Sequence, residues 1–245
     1  MSKSCKRLLA SAALCAIAST AFASDLPTMK GPPPAPVATP FSWTGFNVGA
    51  QAGFGWGAEN DNLSTTVVAA PLDHFDANGA IGGVHVGYDQ QFGSLVLGVR
   101  GEFDASGLSG SATKMAGSYP SVCFEGCNVS FRNTWQAFLL GRAGLAFDRL
   151  LIYATGGLAV GDDRESVTSN ILGVPATTSQ TNTLVGGAIG LGAEYAFDEH
   201  WRFGAEWRYA NFGKTNYSAV IFSSPVSYKA GFSENLALVD LSYRF

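Results

Sequence analysis

A two-residue period constrains this chain more than any other feature. Over 95–104, Leu95, Leu97, Val99, Gly101 and Phe103 alternate with Val96, Gly98, Arg100, Glu102 and Asp104. Over 201–209, Trp201, Phe203, Ala205, Trp207 and Tyr209 alternate with Arg202, Gly204, Glu206 and Arg208. Such a period sends alternate side chains to opposite faces of a strand, and no helical period of useful length competes with it. One face is apolar and aromatic, and the other carries glycine and paired charges. The same texture marks the segments 43–57, 79–91, 95–105, 132–146, 150–162, 183–197, 201–213 and 232–245. Short connections (92–94, 147–149, 198–200) alternate with long ones (58–78, 106–131, 163–182, 214–231).

The prolines bear on this division. Pro71, Pro120, Pro175 and Pro225 fall one in each long connection, and none falls in a segment assigned as strand. Proline lacks the N–H that a sheet interior needs, so it is excluded there.

An even strand number, short turns at one end and long loops at the other are the layout of an eight-stranded antiparallel transmembrane barrel of the outer-membrane type. No segment after the N-terminal region approaches the roughly 20 apolar residues of a spanning helix. A closed barrel is the other structure that pairs all its backbone groups within lipid. The competing fold is a soluble eight-stranded barrel of the lipocalin kind, with its apolar face inside. Two features favour the membrane barrel. The non-aromatic face of 183–197 (Leu184, Gly186, Ala188, Gly190, Gly192, Glu194) is too poor in polar groups for a water-facing surface. Trp43, Phe54, Trp56, Trp135, Phe197 and Trp201 gather toward strand ends, as interfacial girdles require; Trp207, in mid-strand, does not fit. Only 14% of residues are charged, against roughly 25% in a soluble domain.

Residues 1–23 have the form of a secretory signal. Lys3, Lys6 and Arg7 precede an apolar run, and Ala21-Phe22-Ala23 fits the small-x-small cleavage pattern. Residues 24–42 hold Pro27, Pro32, Pro33, Pro34, Pro36 and Pro40 and read as an extended periplasmic tether. The barrel is expected over 43–245. Cys5 and Cys15 leave with the signal. Export to an oxidising compartment predicts a local disulfide between Cys123 and Cys127; two cysteines alone are at best half a zinc site. A net charge of −4 without a basic block beyond the first residues argues against nucleic-acid binding.

The segment Phe41-Ser42-Trp43-Thr44-Gly45-Phe46-Asn47-Val48-Gly49, after a proline-rich stretch, resembles the first strand of the alphaproteobacterial opacity-type surface antigens, which include RopB-like small outer-membrane proteins and carry a porin-family label. At the other end, Val239, Leu241, Tyr243 and Phe245 lie on one face and are similar to the C-terminal signal read by the barrel-assembly machinery. The resemblance covers 24–245 in layout. It implies an outer-membrane location, long loops outside and both termini periplasmic. It also implies contact with outer-membrane lipids and lipopolysaccharide, and loops available to an external ligand or host surface.

With this parity the lumen holds Asp89, Arg100, Glu102, Asp104, Arg142, Glu194, Arg202, Glu206, Arg208, Asp240 and Arg244. Charges in so narrow a lumen must be paired. The expected role is a plugged, monomeric surface barrel that supports envelope integrity and surface interaction without catalysis. Inward glycines (Gly45, Gly49, Gly53, Gly83, Gly87, Gly186, Gly190) leave room for the alternative of a narrow small-solute porin. A lipid-modifying enzyme is a further alternative. It needs a nucleophile, a base and an orienting partner, and His74, His85 and His200 have no such neighbours in the sequence. No cofactor motif is present. Over 150–162 the parity is ambiguous, because Tyr153 and Leu158 fall on opposite faces.

Overall fold

The computed structural model describes residues 41–59, 76–114, 127–171, 174–221 and 224–245. The strands are β1 (Gly45–Glu59), β2 (Asp76–Phe92), β3 (Leu95–Ser106), β4 (Ser109–Lys114), β5 (Cys127–Arg132), β6 (Trp135–Phe147), β7 (Leu150–Ile171), β8 (Val174–Ala196), β9 (Trp201–Ile221) and β10 (Ser224–Arg244). Every pairing is antiparallel, and β1 pairs with both β2 and β10. The sheet therefore closes as β1-β2-β3-β6-β7-β8-β9-β10, an eight-stave barrel.

Tight turns join staves at one end. Gly93 has φ 64° and Asp148 has φ 55°, the left-handed values that two-residue hairpins favour. At the other end the strands run on well past the expected barrel. Residues 163–171 and 174–182, expected in a loop, continue β7 and β8 as one long hairpin paired to Ile171–Val174. Residues 214–221 and 224–231 do the same for β9 and β10. Within 106–131, β4 and β5 form a bent extension of β3 and β6. Pro175 and Pro225 consequently lie in strands, opposite Asn170 and Val220. Among the described residues both stand beyond the point where their strand has a second paired neighbour: β8 meets β9 from Gly187 onward, and β10 meets β1 from Phe232 onward. An open edge tolerates the missing N–H.

The break at 107–108 and 133–134 is tied down by side chains. The Asp162 carboxylate accepts from the Thr134 N–H (2.7 Å), the Thr134 hydroxyl (2.6 Å) and the Trp135 N–H (2.9 Å). The Asn133 amide donates to the Asp162 carbonyl (2.5 Å).

The barrel is apolar outside. Leu158 (57% exposed), Val185 (62%) and Ile189 (61%) face outward, as do Val84, Val99, Phe203 and Leu241. Tyr153 faces inward and Leu158 outward, so the polar-face parity of β7 follows Tyr153. Trp207 is exposed on the same outer surface in mid-strand. Trp43 overturns its expected girdle position. It is fully buried, packed near Val96, Leu151, Tyr153 and Ala196 inside the turn end of the barrel. Its parity explains this, because Trp43, Asn47 and Gln51 share the inward face of the first stave.

Cys123, Pro71, Pro120, His74 and residues 1–40 lie outside the described residues, and with them the disulfide, the signal segment and most of the tether.

Candidate functional site

The lumen is built in three layers, each set by the inward residues of successive staves. At the turn end, Trp43, Val96, Leu151, Tyr153 and Ala196 cluster, with Phe41 and Ala146 against them. The Trp43 indole N–H donates to the Asp148 carbonyl (3.0 Å), and its backbone N–H donates to the Gln91 side-chain oxygen (2.7 Å). At the hairpin end a second apolar cluster includes Ile81, Leu108, Phe131, Phe138, Phe212 and Phe232. Charges occupy the space between.

The charged layer is continuous. Arg208 donates to both Glu102 oxygens (2.5 and 3.0 Å) and to Glu206 (2.8 Å). Arg100 lies 3.9 Å from Glu102 and 2.7 Å from Glu194. Glu194 also faces Arg142 at 2.8 Å, and Arg142 lies 3.6 Å from Asp89. Arg202 completes the chain, 3.0 Å from Asp89 and 3.9 Å from Glu194. Each of these groups is almost fully buried. Ion pairs of this kind gain strength from the low dielectric, and the same environment makes an unpaired charge costly.

The remaining expected lumen residues sit differently. Asp104 is buried and accepts from Gln51 (2.7 Å), whose amide also reaches Glu102 (3.1 Å). Asp240 is buried beside Gly204, close enough that a side chain there would meet its carboxylate. Arg244 departs from the expected network. It is half-buried at the barrel mouth and donates to the carbonyls of Ser42 (2.5 Å), Thr44 (3.2 Å) and Glu199 (2.6 Å) rather than to a carboxylate. As the last strand residue it lies past the charged layer and fastens the chain ends instead.

Several lumen residues escaped the sequence reading. Tyr153 donates to Glu206 (3.0 Å), and Thr155 donates to the same carboxylate (3.2 Å). Asn47 donates to Asp89 (3.2 Å). Glu234 and Gln136 are fully buried. The parity of their strands places Asn47, Gln51, Glu234 and Gln136 inward, so that signal was present. For Tyr153 it was obscured by the apolar residues on both faces of β7. The arginines are also wedged against rings: Arg142 over Tyr153 (3.9 Å), Arg208 over Phe138 (4.7 Å) and Arg202 over Trp43 (4.9 Å). These cation–π contacts join the charged layer to the apolar layers on either side.

His85 lies within this layer, 2% exposed, and neither ring nitrogen has a hydrogen-bond partner among the described residues. It occupies space that Gly49 leaves free: a β-carbon at Gly49 would stand 2.5 Å from the imidazole. His200 is exposed in the 197–200 turn and stacks on Tyr243 at 5.3 Å. The C-terminal face is exposed at Val239, Leu241 and Phe245, with Tyr243 partly so. Among the described residues no group of three or more His, Cys, Asp or Glu side chains has an arrangement able to hold a metal ion.

Comparison with known proteins places this geometry in context. The family described as outer membrane protein beta-barrel domain matches residues 9–245. The chain is 33% identical over 242 residues to the 31 kDa outer-membrane immunogenic protein of Brucella melitensis biotype 1, covering 93% of this chain and 95% of that one. It is 25% identical over 211 residues to the 22 kDa outer membrane protein of Rhizobium leguminosarum bv. viciae, covering 86% and 82%. Among solved structures, the outer membrane protein OprG from Pseudomonas aeruginosa aligns with a TM-score of 0.45 at 12% identity, covering 82% of this chain and 96% of that one.

Proposed function

The chain belongs to the outer membrane protein β-barrel family, with small alphaproteobacterial outer-membrane proteins among its relatives, and from that premise we propose that it is a non-catalytic surface barrel with a closed lumen. In this reading the long hairpins face outside and both termini face the periplasm. The protein supports envelope integrity, embedded among outer-membrane lipids and lipopolysaccharide, and presents its hairpins to an external ligand or host surface. The barrel-assembly machinery inserts it as a monomer through the Val239, Leu241, Tyr243 and Phe245 face.

The observation that carries the reading is the layered lumen. A dehydrated ion needs a continuous polar path, and here the charged layer lies between two apolar seals. The immunogenic naming of the Brucella relatives supports the display of a surface to the outside.

A narrow pore is the second reading, and one feature favours it. Between the seals Arg100, Arg142, Arg202 and Arg208 face Asp89, Glu102, Asp104, Glu194, Glu206 and Asp240. The carboxylates outnumber the guanidiniums, which suits cations over anions.

Planar-bilayer recording separates the two. A closed barrel inserts without steady conductance, and Arg100→Ala stays silent because both apolar seals remain in place; a pore conducts, and Arg100→Ala alters its current. Steady cation-selective current from the unsubstituted chain would overturn the closed reading. Orientation is tested separately with Thr177→Cys on the β7–β8 hairpin. A membrane-impermeant maleimide should label it on intact cells above the level of the unsubstituted chain, and labelling confined to broken cells would reverse the orientation.

A further inference from the structure

Outside the lumen, one arrangement is unexplained by the fold. Arg132 on β5 and Arg164 on β7 are direct partners across the sheet. Residues opposite each other on neighbouring strands have β-carbons about 5 Å apart, and like charges there are destabilising. Both guanidiniums are exposed on the outer wall. Among the described residues neither is within salt-bridge distance of a carboxylate, and Arg164 makes one side-chain hydrogen bond, to the Thr181 hydroxyl at 3.3 Å. The acidic neighbours of Arg164 in sequence, Asp163 and Glu165, are buried on the inward side of the strand. Asp162, two residues along β7 on the same face, has its carboxylate engaged by Thr134 and Trp135, so among the described residues no carboxylate pairs with either arginine.

Their surroundings are suited to an anion. Arg132 and Arg164 line an open cleft of about 560 Å³ together with Ser109, Ser111, Ser130 and Ser166. The cleft offers two guanidinium forks and four hydroxyls. Planar guanidinium donors match phosphate oxygens in pairs, and serine hydroxyls supply further donors.

Height on the barrel selects the source of the anion. On β7 the outward row passes through Ile152 (53% exposed) and Leu158 (57%) before reaching Arg164. On the neighbouring stave Trp135, stacked on Phe103 at 6.0 Å, is followed toward the hairpin end by Arg132. The apolar wall ends in an aromatic pair, and the arginines stand roughly 10 Å farther along the strand, at about 3.3 Å per residue. That is where an apolar acyl region gives way to head groups.

We propose that the Arg132–Arg164 cleft binds the phosphorylated head group of a glycolipid in the surrounding leaflet. The assignment of that leaflet as the outer one rests on the orientation given above. Bound phosphate turns the repulsive pair into a bridge, so the lipid becomes part of what holds the β5–β7 seam of the wall.

The test uses the full mature chain folded in detergent micelles, with diphosphoryl lipid A as the probe. Dephosphorylated lipid A and inorganic phosphate serve as comparisons. The barrel should retain diphosphoryl lipid A through gel filtration and release the dephosphorylated form. R132Q/R164Q should weaken retention about tenfold or more, as loss of charge-assisted hydrogen bonds requires, while R132K/R164K keeps most of it. Heat-modifiable migration on gels checks that each variant is folded. Equal retention of the two lipids, or unchanged retention by folded R132Q/R164Q, would overturn the site. Saturation by inorganic phosphate with no preference for lipid A would overturn the glycolipid assignment. Micelle binding does not depend on which side the cleft faces, so an inverted maleimide result strikes the orientation and leaves the site standing.

Discussion

Removing Arg208 tests the lumen network at its most connected point. This side chain is fully buried and donates three hydrogen bonds, two to Glu102 and one to Glu206. Arg208→Met keeps much of the packing over Phe138 but leaves two buried carboxylates without their main counter-charge. Losing one partner of a buried pair costs about 3–5 kcal/mol, because the other charge remains desolvated. The same principle predicts partial recovery. With Glu102→Gln added, one stranded charge disappears, and the double variant should be more stable than the sum of the single losses by roughly 1.5–3 kcal/mol, the range for hydrogen bonds to charged groups.

Guanidinium unfolding in phosphatidylcholine vesicles, followed by tryptophan fluorescence, measures all four corners of that cycle. The slope of free energy against denaturant must match among the variants for the comparison to hold. A loss below about 1 kcal/mol for Arg208→Met would show that water enters the layer and screens the charges, against the cost that a buried pair carries. Strict additivity of the two substitutions would refute the coupling through the short contacts described above.

Other perturbations address other levels of the structure. Trp43→Ala should remove the turn-end seal, costing about 3–5 kcal/mol as a large-to-small core substitution, while the hairpin-end seal keeps the bilayer current at baseline; steady current from this variant alone would refute the two-seal arrangement. The exposed Asp198 carboxylate accepts from the backbone N–H of Trp201 and of His200, which holds it below the usual carboxylate range. A depressed carboxyl stabilises the fold above its unfolded value near 3.9 and loses that contribution as pH falls through the lower folded value. Asp198→Ala should therefore lower the unfolding midpoint at neutral pH, with the gap to the unsubstituted chain closing in acid; a gap that widens in acid would contradict the assignment. Phe245→Ala should reduce the yield of heat-modifiable barrel in cells without changing the stability of refolded protein by a comparable factor, and normal cellular yield would count against a C-terminal assembly signal.

How far the sequence disclosed this architecture depends on which face of each strand carried contrast. Where an apolar outer residue alternates with glycine or charge, as from Leu95 to Asp104, the strand and its parity were plain. The extension of β7 and β8 beyond the barrel has no such contrast. Beyond the charged run Asp163-Arg164-Glu165 its residues are mostly Ser, Thr, Asn and Gln on both faces, so the hydrophobic period is silent. Repeated β-branched residues (Val167, Thr168, Ile171, Val174, Thr177, Thr178, Thr181) are the remaining strand signal there. The apolar seals were hidden for the opposite reason. Phe138, Leu140, Leu236 and Leu238 are buried on the inner face of strands whose outer face is also apolar. An apolar inner residue then reads as noise in the alternation. Trp43 was misplaced because position near a strand end outweighed parity, although Asn47 and Gln51 on the same face pointed inward.

The inverted distribution of charge also bears on how the strands find their register. A slip of one residue in a strand sends every side chain to the opposite face. For β9 that slip would turn Arg202, Glu206 and Arg208 out toward lipid and Phe203, Ala205 and Trp207 into the lumen. An arginine at the bilayer midplane costs about 2–4 kcal/mol on such a barrel, so three charges together penalise the wrong pairing by more than any single correct contact rewards the right one. The same holds for β3, where Arg100, Glu102 and Asp104 move as a set. A slip of two residues in β9 restores the faces but separates Arg208 from Glu102 and Tyr153 from Glu206. The lipid thus excludes odd slips and the lumen excludes even ones. The charged layer specifies the register of the barrel even where, as a source of net stability, a well-packed apolar interior of the same volume would serve as well.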